Sequence, residues 1–145
     1  MFALVGVCLG AVATHLAELR RARWEDRRWA REQRTRVYGE FLTALEETGQ
    51  ALLKVLRTLP LGERGEAAQE AFAAHGLGAV RQCLHVVAPA NVVGAADAVF
   101  RELSRGRDMA DGFDALDHAA LVEAKDRAGD LRDRLQRLMS EDIGR

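Results

Sequence analysis

Proline is nearly absent: Pro60 and Pro89 are the only two in 145 residues. Collagen-like, proline-rich and wholly disordered chains are excluded, because 48% of the residues are hydrophobic and able to line a core. Cysteine is as scarce. Cys8 and Cys83 cannot build a disulfide scaffold, and both read as small packing residues. Lysine is rare too, two residues against 19 arginines, as a GC-rich genome would give. Nowhere is there a convincing run of alternating strand residues. LHVVA (84–88) is the only short β-like stretch, and it lies inside a helical pattern. What remains is helix-forming sequence, enough for one domain.

Charge is missing altogether from residues 1–17, MFALVGVCLGAVATHLA, and Glu18 is the only charge before Arg20. As a helix this stretch spans roughly 26 Å, slightly under the ~30 Å hydrocarbon core, and Leu19 extends it where Glu18 snorkels. A secretory signal peptide would put basic residues before the apolar run. Here they come after it, at Arg20, Arg21, Arg23, Arg27, Arg28, Arg31, Arg34 and Arg36, so that residues 20–36 carry a net +5. Positive charge stays on the cytoplasmic side of a span. The expectation is an uncleaved transmembrane anchor over 1–19, a single pass through the cell membrane, with the N-terminus outside and the remainder cytoplasmic. The competing reading is a core helix of a soluble protein, which would have to bury this segment on every side.

Two features refine the anchor. Gly6 and Gly10 form a GxxxG pair, a candidate dimerisation face because small residues let two backbones approach closely in lipid. Residues 20–36 hold no helix breaker, and Glu25–Arg28 and Glu32–Arg36 are spaced to pair along a helix. A basic juxtamembrane helix therefore continues from the span. Arg20, Arg21, Arg23, Trp24, Arg27 and Arg28 are its expected contacts with anionic headgroups, at about 1 kcal/mol per basic residue near the surface. Nucleic acid is the weaker partner: no recognised binding motif accompanies the arginines, and residues 37–145 are net −5.

The cytoplasmic part, 37–145, reads as all-α, an antiparallel four-helix bundle. A coiled-coil-like heptad stripe of Tyr38, Phe41, Leu45, Thr48, Leu52, Val55 and Leu59, widened by Leu42, Leu53 and Leu56, should end before Pro60. A second helix over about 66–87 places Phe72, Ala79, Val80, Cys83, Leu84 and Val87 on one side, with Gly76 and Gly78 weakening its first half. Pro89 starts a third, with Val92, Ala95, Ala96, Val99, Phe100 and Leu103 at helical spacing and Gly106 as its stop. RGRDMADG (105–112) connects it to a last helix, 113–140.

The chemistry-bearing residues form no constellation. Ser104 and Ser140 sit at expected helix ends without a nucleophile elbow, and His15, His75, His85 and His118 are scattered. Asp108, Asp111, Asp114 and Asp117 recur every third residue, but the alternate-position ligands of an EF-hand are lacking. They read better as charges complementing a helix start, and Asp126, Asp130 and Asp133, among Arg127, Arg132 and Arg134, as a solvated ion-paired face. Gly76-x-Gly78 lacks the third glycine and the strand of a dinucleotide loop. The reading is non-enzymatic, with no cofactor and no metal.

The Ala3–Leu16 span, the RRARWEDRRWAREQR segment (20–34) and an Arg-x-x-Val-Tyr-x-x-Phe-Leu pattern (Arg34, Val37, Tyr38, Phe41, Leu42) together resemble a group of small actinobacterial single-pass membrane-anchored helical proteins with no assigned activity. The likeness extends to Pro89 and to the Met139–Gly144 ending; it departs at Val87-Ala88, where those proteins carry Gly-Ser before the proline. It implies topology and transfers no active site. The functional expectation is a membrane-tethered helical module that binds itself or another membrane or cytoplasmic protein. The alternative is a membrane-associated sensor or small-ligand binder with a pocket near Tyr38, His85 or His118.

Overall fold

From Arg34 to Thr58 the apolar residues recur every three or four positions, and a helix gathers such residues into one stripe. In the computed structural model, which describes the backbone of residues 2–112 and 118–144 and the side chains of 25–112 and 119–144, that stripe lies on helix α1 (Phe2–Thr58). Helices α2 (Arg64–Ala74), α3 (Leu77–Val87), α4 (Ala90–Asp108) and α5 (His118–Gly144) follow. No strand occurs among the described residues, so the fold is all-α. The chain divides into two units, Met1–Gln33 and Arg34–Arg145.

In the first unit the described side chains are those of residues 25–33. Trp29 is 65% exposed, and Arg27, Arg28 and Arg31 face solvent. The side chains of residues 1–24, and with them the expected span, lie outside the described residues. No helix is long and apolar enough to cross a membrane among the described residues. The pairing along the basic helix differs from the expected one. Glu32 accepts from Arg28 Nε at 2.9 Å rather than pairing with Arg36, and Arg36 donates instead to Glu40 Oε1 at 2.9 Å. Both pairs run Arg before Glu, the less favourable order, so they steer rotamers more than they stabilise the helix.

The second unit is a helical bundle with one core. From α1 it takes Tyr38, Phe41, Leu45, Thr48 and Leu52 as expected, together with Val37 and Ala44. From the other helices come Phe72, Leu77, Leu84, Val92, Ala96, Val99, Leu135 and Met139. Contacts between Tyr38 and Asp142 and between Glu46 and Arg132 set α5 antiparallel to α1. Phe72 and Phe100 meet edge to face at 5.4 Å, with the Arg107 guanidinium over the Phe72 ring at 4.6 Å and the Arg81 guanidinium over the Phe100 ring at 4.5 Å. This cation–ring–ring–cation stack seats α2 and α3 on α4.

The helix expected over 66–87 is two helices. Gly76 takes φ +63°, a left-handed conformation that ends α2 and that a side chain would strain. Neither half is irregular. Their faces do differ from the continuous pattern: Leu77 is fully buried, whereas Ala79 and Cys83 are exposed. Cys83 is therefore a free surface thiol and not a packing residue.

Helix ends show how local sequence and distant residues share the work. The first helix stops at Thr58, two residues before Pro60, and the buried Arg64 donates Nε to Leu59 O at 2.7 Å. The side chain at the N-terminus of α2, Glu63, makes no cap; Asp111 Oδ1 instead accepts from Gly65 N at 2.9 Å across 46 residues. The aspartate thus caps α2 rather than the helix that follows it in sequence. Pro89 precedes α4, and its carbonyl accepts from Val92 and Val93 at 3.0 Å, which replaces a side-chain cap. Gly106 does not end α4, which continues to Asp108 with Arg105 and Arg107 at the negative end of its dipole. The last helix runs beyond 140 to Gly144, and residues 113–117 of its expected start lie outside the described residues.

Candidate functional site

Arg34 and Tyr38 stand four residues apart, so α1 projects them from one face. The Tyr38 hydroxyl donates to Asp142 Oδ2 at 2.7 Å, and Arg34 Nη1 lies 3.4 Å from both oxygens of the same carboxylate. Arg34 Nε also donates to Val87 O at 3.0 Å, in the last turn of α3. One guanidinium thus satisfies a C-terminal carbonyl and a carboxylate, fastening α1 to α3 and α5. Burial, then the hydrogen bond to Asp142 and its negative charge, raise the Tyr38 phenol well above its usual range, against a smaller opposing effect of Arg34. The phenol stays protonated and serves as a donor. This cluster is a clamp between α1, α3 and α5.

A second cluster joins α3 to α4. Arg81 and His85, one turn apart, both reach Asp97 Oδ1, at 2.7 and 2.8 Å. An ionised carboxylate can only accept, so His85 carries its proton on Nε2 here. Partial burial works to raise the Asp97 carboxyl, but the hydrogen bonds and charges of Arg81 and His85 outweigh it and hold the group below the usual carboxylate range. Sequence alone missed Asp97 and Asp142. The spacing of Arg81 and His85 on one helix face was the available signal for the former; nothing local marked the latter.

The space between helices lies elsewhere. A cleft of about 850 Å³ runs between α1, α4 and α5, and shares Gly49, Leu53, Leu103, Lys125 and Ala128 with a recess of about 240 Å³. Neither Tyr38 nor His85 lines this cleft or recess; their side chains are engaged with Asp142 and Asp97, and His118 lies outside the described side chains.

Of the expected surface contacts, Arg27 and Arg28 are exposed, Arg28 holding Glu32; Arg20, Arg21, Arg23 and Trp24 lie outside the described side chains. Gly6 and Gly10 fall on α1, in its part without described side chains. Asp108 pairs with Arg107 at 2.7 Å, and Asp114 and Asp117 lie outside the described residues. Two arginines of the expected ion-paired face find glutamates rather than the aspartates: Arg127 meets Glu102 and Glu123, and Arg132 meets Glu46. Ser104 sits within α4, its hydroxyl donating to Phe100 O at 2.9 Å, and not at a helix end. No cluster of three or more metal-ligating side chains occurs among the described residues. No family model matches the chain, and neither a curated protein nor a solved structure is significantly similar to it.

Proposed function

We propose that the chain is a membrane-tethered helical module, with residues 1–19 as a single transmembrane anchor, 20–36 as a basic helix against anionic headgroups and 37–145 as a cytoplasmic helical bundle that binds a protein partner. One observation carries this reading: residues 1–17 hold no charge, and eight arginines follow within residues 20–36. An uncharged stretch of that length is favourably solvated by lipid tails, and the charge behind it sets the orientation. The likeness to small actinobacterial single-pass proteins supports the same topology. The partner is a second copy, meeting through Gly6 and Gly10, or another membrane or cytoplasmic protein. The role is that of an interaction or scaffold module, without catalysis.

Fractionation of the native host tests the anchor. The full chain should stay in the membrane pellet through high-salt and alkaline washes and leave it only with detergent. Removal of residues 2–19 should release it. Recovery of the full chain as a monomer in the wash overturns the anchor, and absence of any crosslinked species from detergent-solubilised membranes overturns the partner role. A second reading, a small-ligand-binding domain, is favoured by the cleft between α1, α4 and α5.

A further inference from the structure

The cleft has a floor and a rim of opposite character. Its floor is Leu53, Leu103, Val99 and the small residues Gly49 and Ala128. Its rim carries Lys54, Arg57 and Lys125. Lys54 and Lys125 are the chain's two lysines and stand on different helices, 71 residues apart in sequence. Among the described residues none of the three cationic side chains has a hydrogen-bond or ion-pair partner, while the neighbouring Arg132 is neutralised by Glu46. In the adjoining recess Glu102 holds Arg105 and Arg127, the latter also reaching Glu123, and Lys125 lines both spaces. Three cations without a partner among the described residues therefore line one largely apolar trough, in a segment whose net charge is −5. The cleft, at about 850 Å³, is of the size small-molecule sites take, and the recess of about 240 Å³ adjoins it.

We propose that this cleft binds one long-chain fatty acid, its carboxylate held among Lys54, Arg57 and Lys125 and its tail laid over Leu53 and Leu103 into the recess beside Leu56 and Leu121. The charge selects an anionic head: an ammonium donates to a carboxylate oxygen, and such a charge-assisted bond is stronger than one between neutral groups. The trough selects a long tail, since each methylene withdrawn from water adds to affinity by up to about fourfold. A zwitterionic or cationic amphiphile of equal length gains the second contribution without the first. The proposal stands on the cleft alone and does not require the anchor.

The test uses the full chain in phosphatidylcholine vesicles, a diazirine-bearing hexadecanoate probe, and mass-spectrometric mapping of the adducts. Adducts are expected in the peptides holding Leu53, Leu103 and Leu121. Unlabelled palmitate should compete, and a hexadecyl trimethylammonium salt at equal concentration should not. Two variants separate head from tail. Lys54→Glu with Lys125→Glu changes only exposed side chains and should cut labelling at these peptides about tenfold, the effect of losing about 1.4 kcal/mol. Gly49→Leu extends a side chain into the trough from a position where a Cβ meets only Leu103 Cδ2, at 4.0 Å, so the helix tolerates it and labelling should fall. Adducts confined to other peptides overturn the proposal, as does labelling unchanged in both variants or equal competition by the cation. An occupant that is a partner's helix would leave these peptides unlabelled, which also overturns it.

Discussion

Replacing Tyr38 with Phe removes one oxygen from a side chain that is only 2% exposed. The lost bond is short, 2.7 Å, and its acceptor is a carboxylate, the class worth about 1.5–3 kcal/mol. Asp142 keeps Arg34 after the change, so the expected cost of Tyr38→Phe is the lower end, about 1–2 kcal/mol. Asp142→Ala should cost more, about 2–4 kcal/mol, because it strands a buried hydroxyl and leaves the Arg34 guanidinium with Val87 O alone. The double variant should cost no more than Asp142→Ala, a coupling of about 1–2 kcal/mol. Urea unfolding of the full chain in zwitterionic micelles, followed by far-ultraviolet circular dichroism, measures all three. Additive losses would mean that the two residues do not interact as described.

The same pair predicts an alkaline limb. The folded phenol titrates above its unfolded value of about 10, so the native state holds a proton that the unfolded state has released. Stability from this group is present in full below pH about 10 and is lost as pH rises through the folded value. Tyr38 is the only tyrosine, so phenolate absorbance reports it without interference. An ordinary titration near pH 10 in the native chain would contradict the buried hydrogen bond.

Gly65→Ala should destabilise although alanine is the better helix former, because its Cβ would sit on the Asp111 carboxylate that caps α2. Asp111→Ala should cost about 1 kcal/mol by the same lost cap, whereas Gly106→Ala and Gly129→Ala, both in open space inside helices, should gain up to about 1 kcal/mol each in urea midpoints. Asp97→Asn should flatten the acid limb of the stability profile: the depressed carboxyl contributes stability present above pH about 4 and lost below it, and a limb identical to the parent's in acid titration rejects the assignment. Thr48→Val should be neutral or stabilising by up to about 1 kcal/mol, since the Thr48 hydroxyl is fully buried without a hydrogen-bond partner among the described residues; a loss above about 1 kcal/mol in the same urea assay means that it has one.

The helices were legible because their apolar spacing is local and repeated. The stripe from Tyr38 to Leu52 and the run from Val92 to Val99 bury the residues their period assigns. Failures came where one residue outweighed the period. Gly76 carries a left-handed turn that splits a pattern otherwise continuous from 66 to 87, and the break rotates α3 so that Leu77 points inward and Cys83 outward. Gly106 erred the other way: α4 runs through it, and Met109 closes the end by bonding back to Arg105 O.

Polar partners were illegible for a different reason. A helix period says which face a residue occupies but not which carboxylate will stand opposite. Tyr38 meets Asp142 across 104 residues and Gly65 meets Asp111 across 46, and both partners are fixed only when the helices have packed. Two stretches singled out by resemblance nevertheless belong to one structural device: Arg34, Val37, Tyr38 and Phe41 from the first, and Asp142 from the ending. One long-range contact is thus written in two short, distant pieces of the sequence, and it holds α1 against α5 with the Tyr38 phenol as the protonated donor to Asp142.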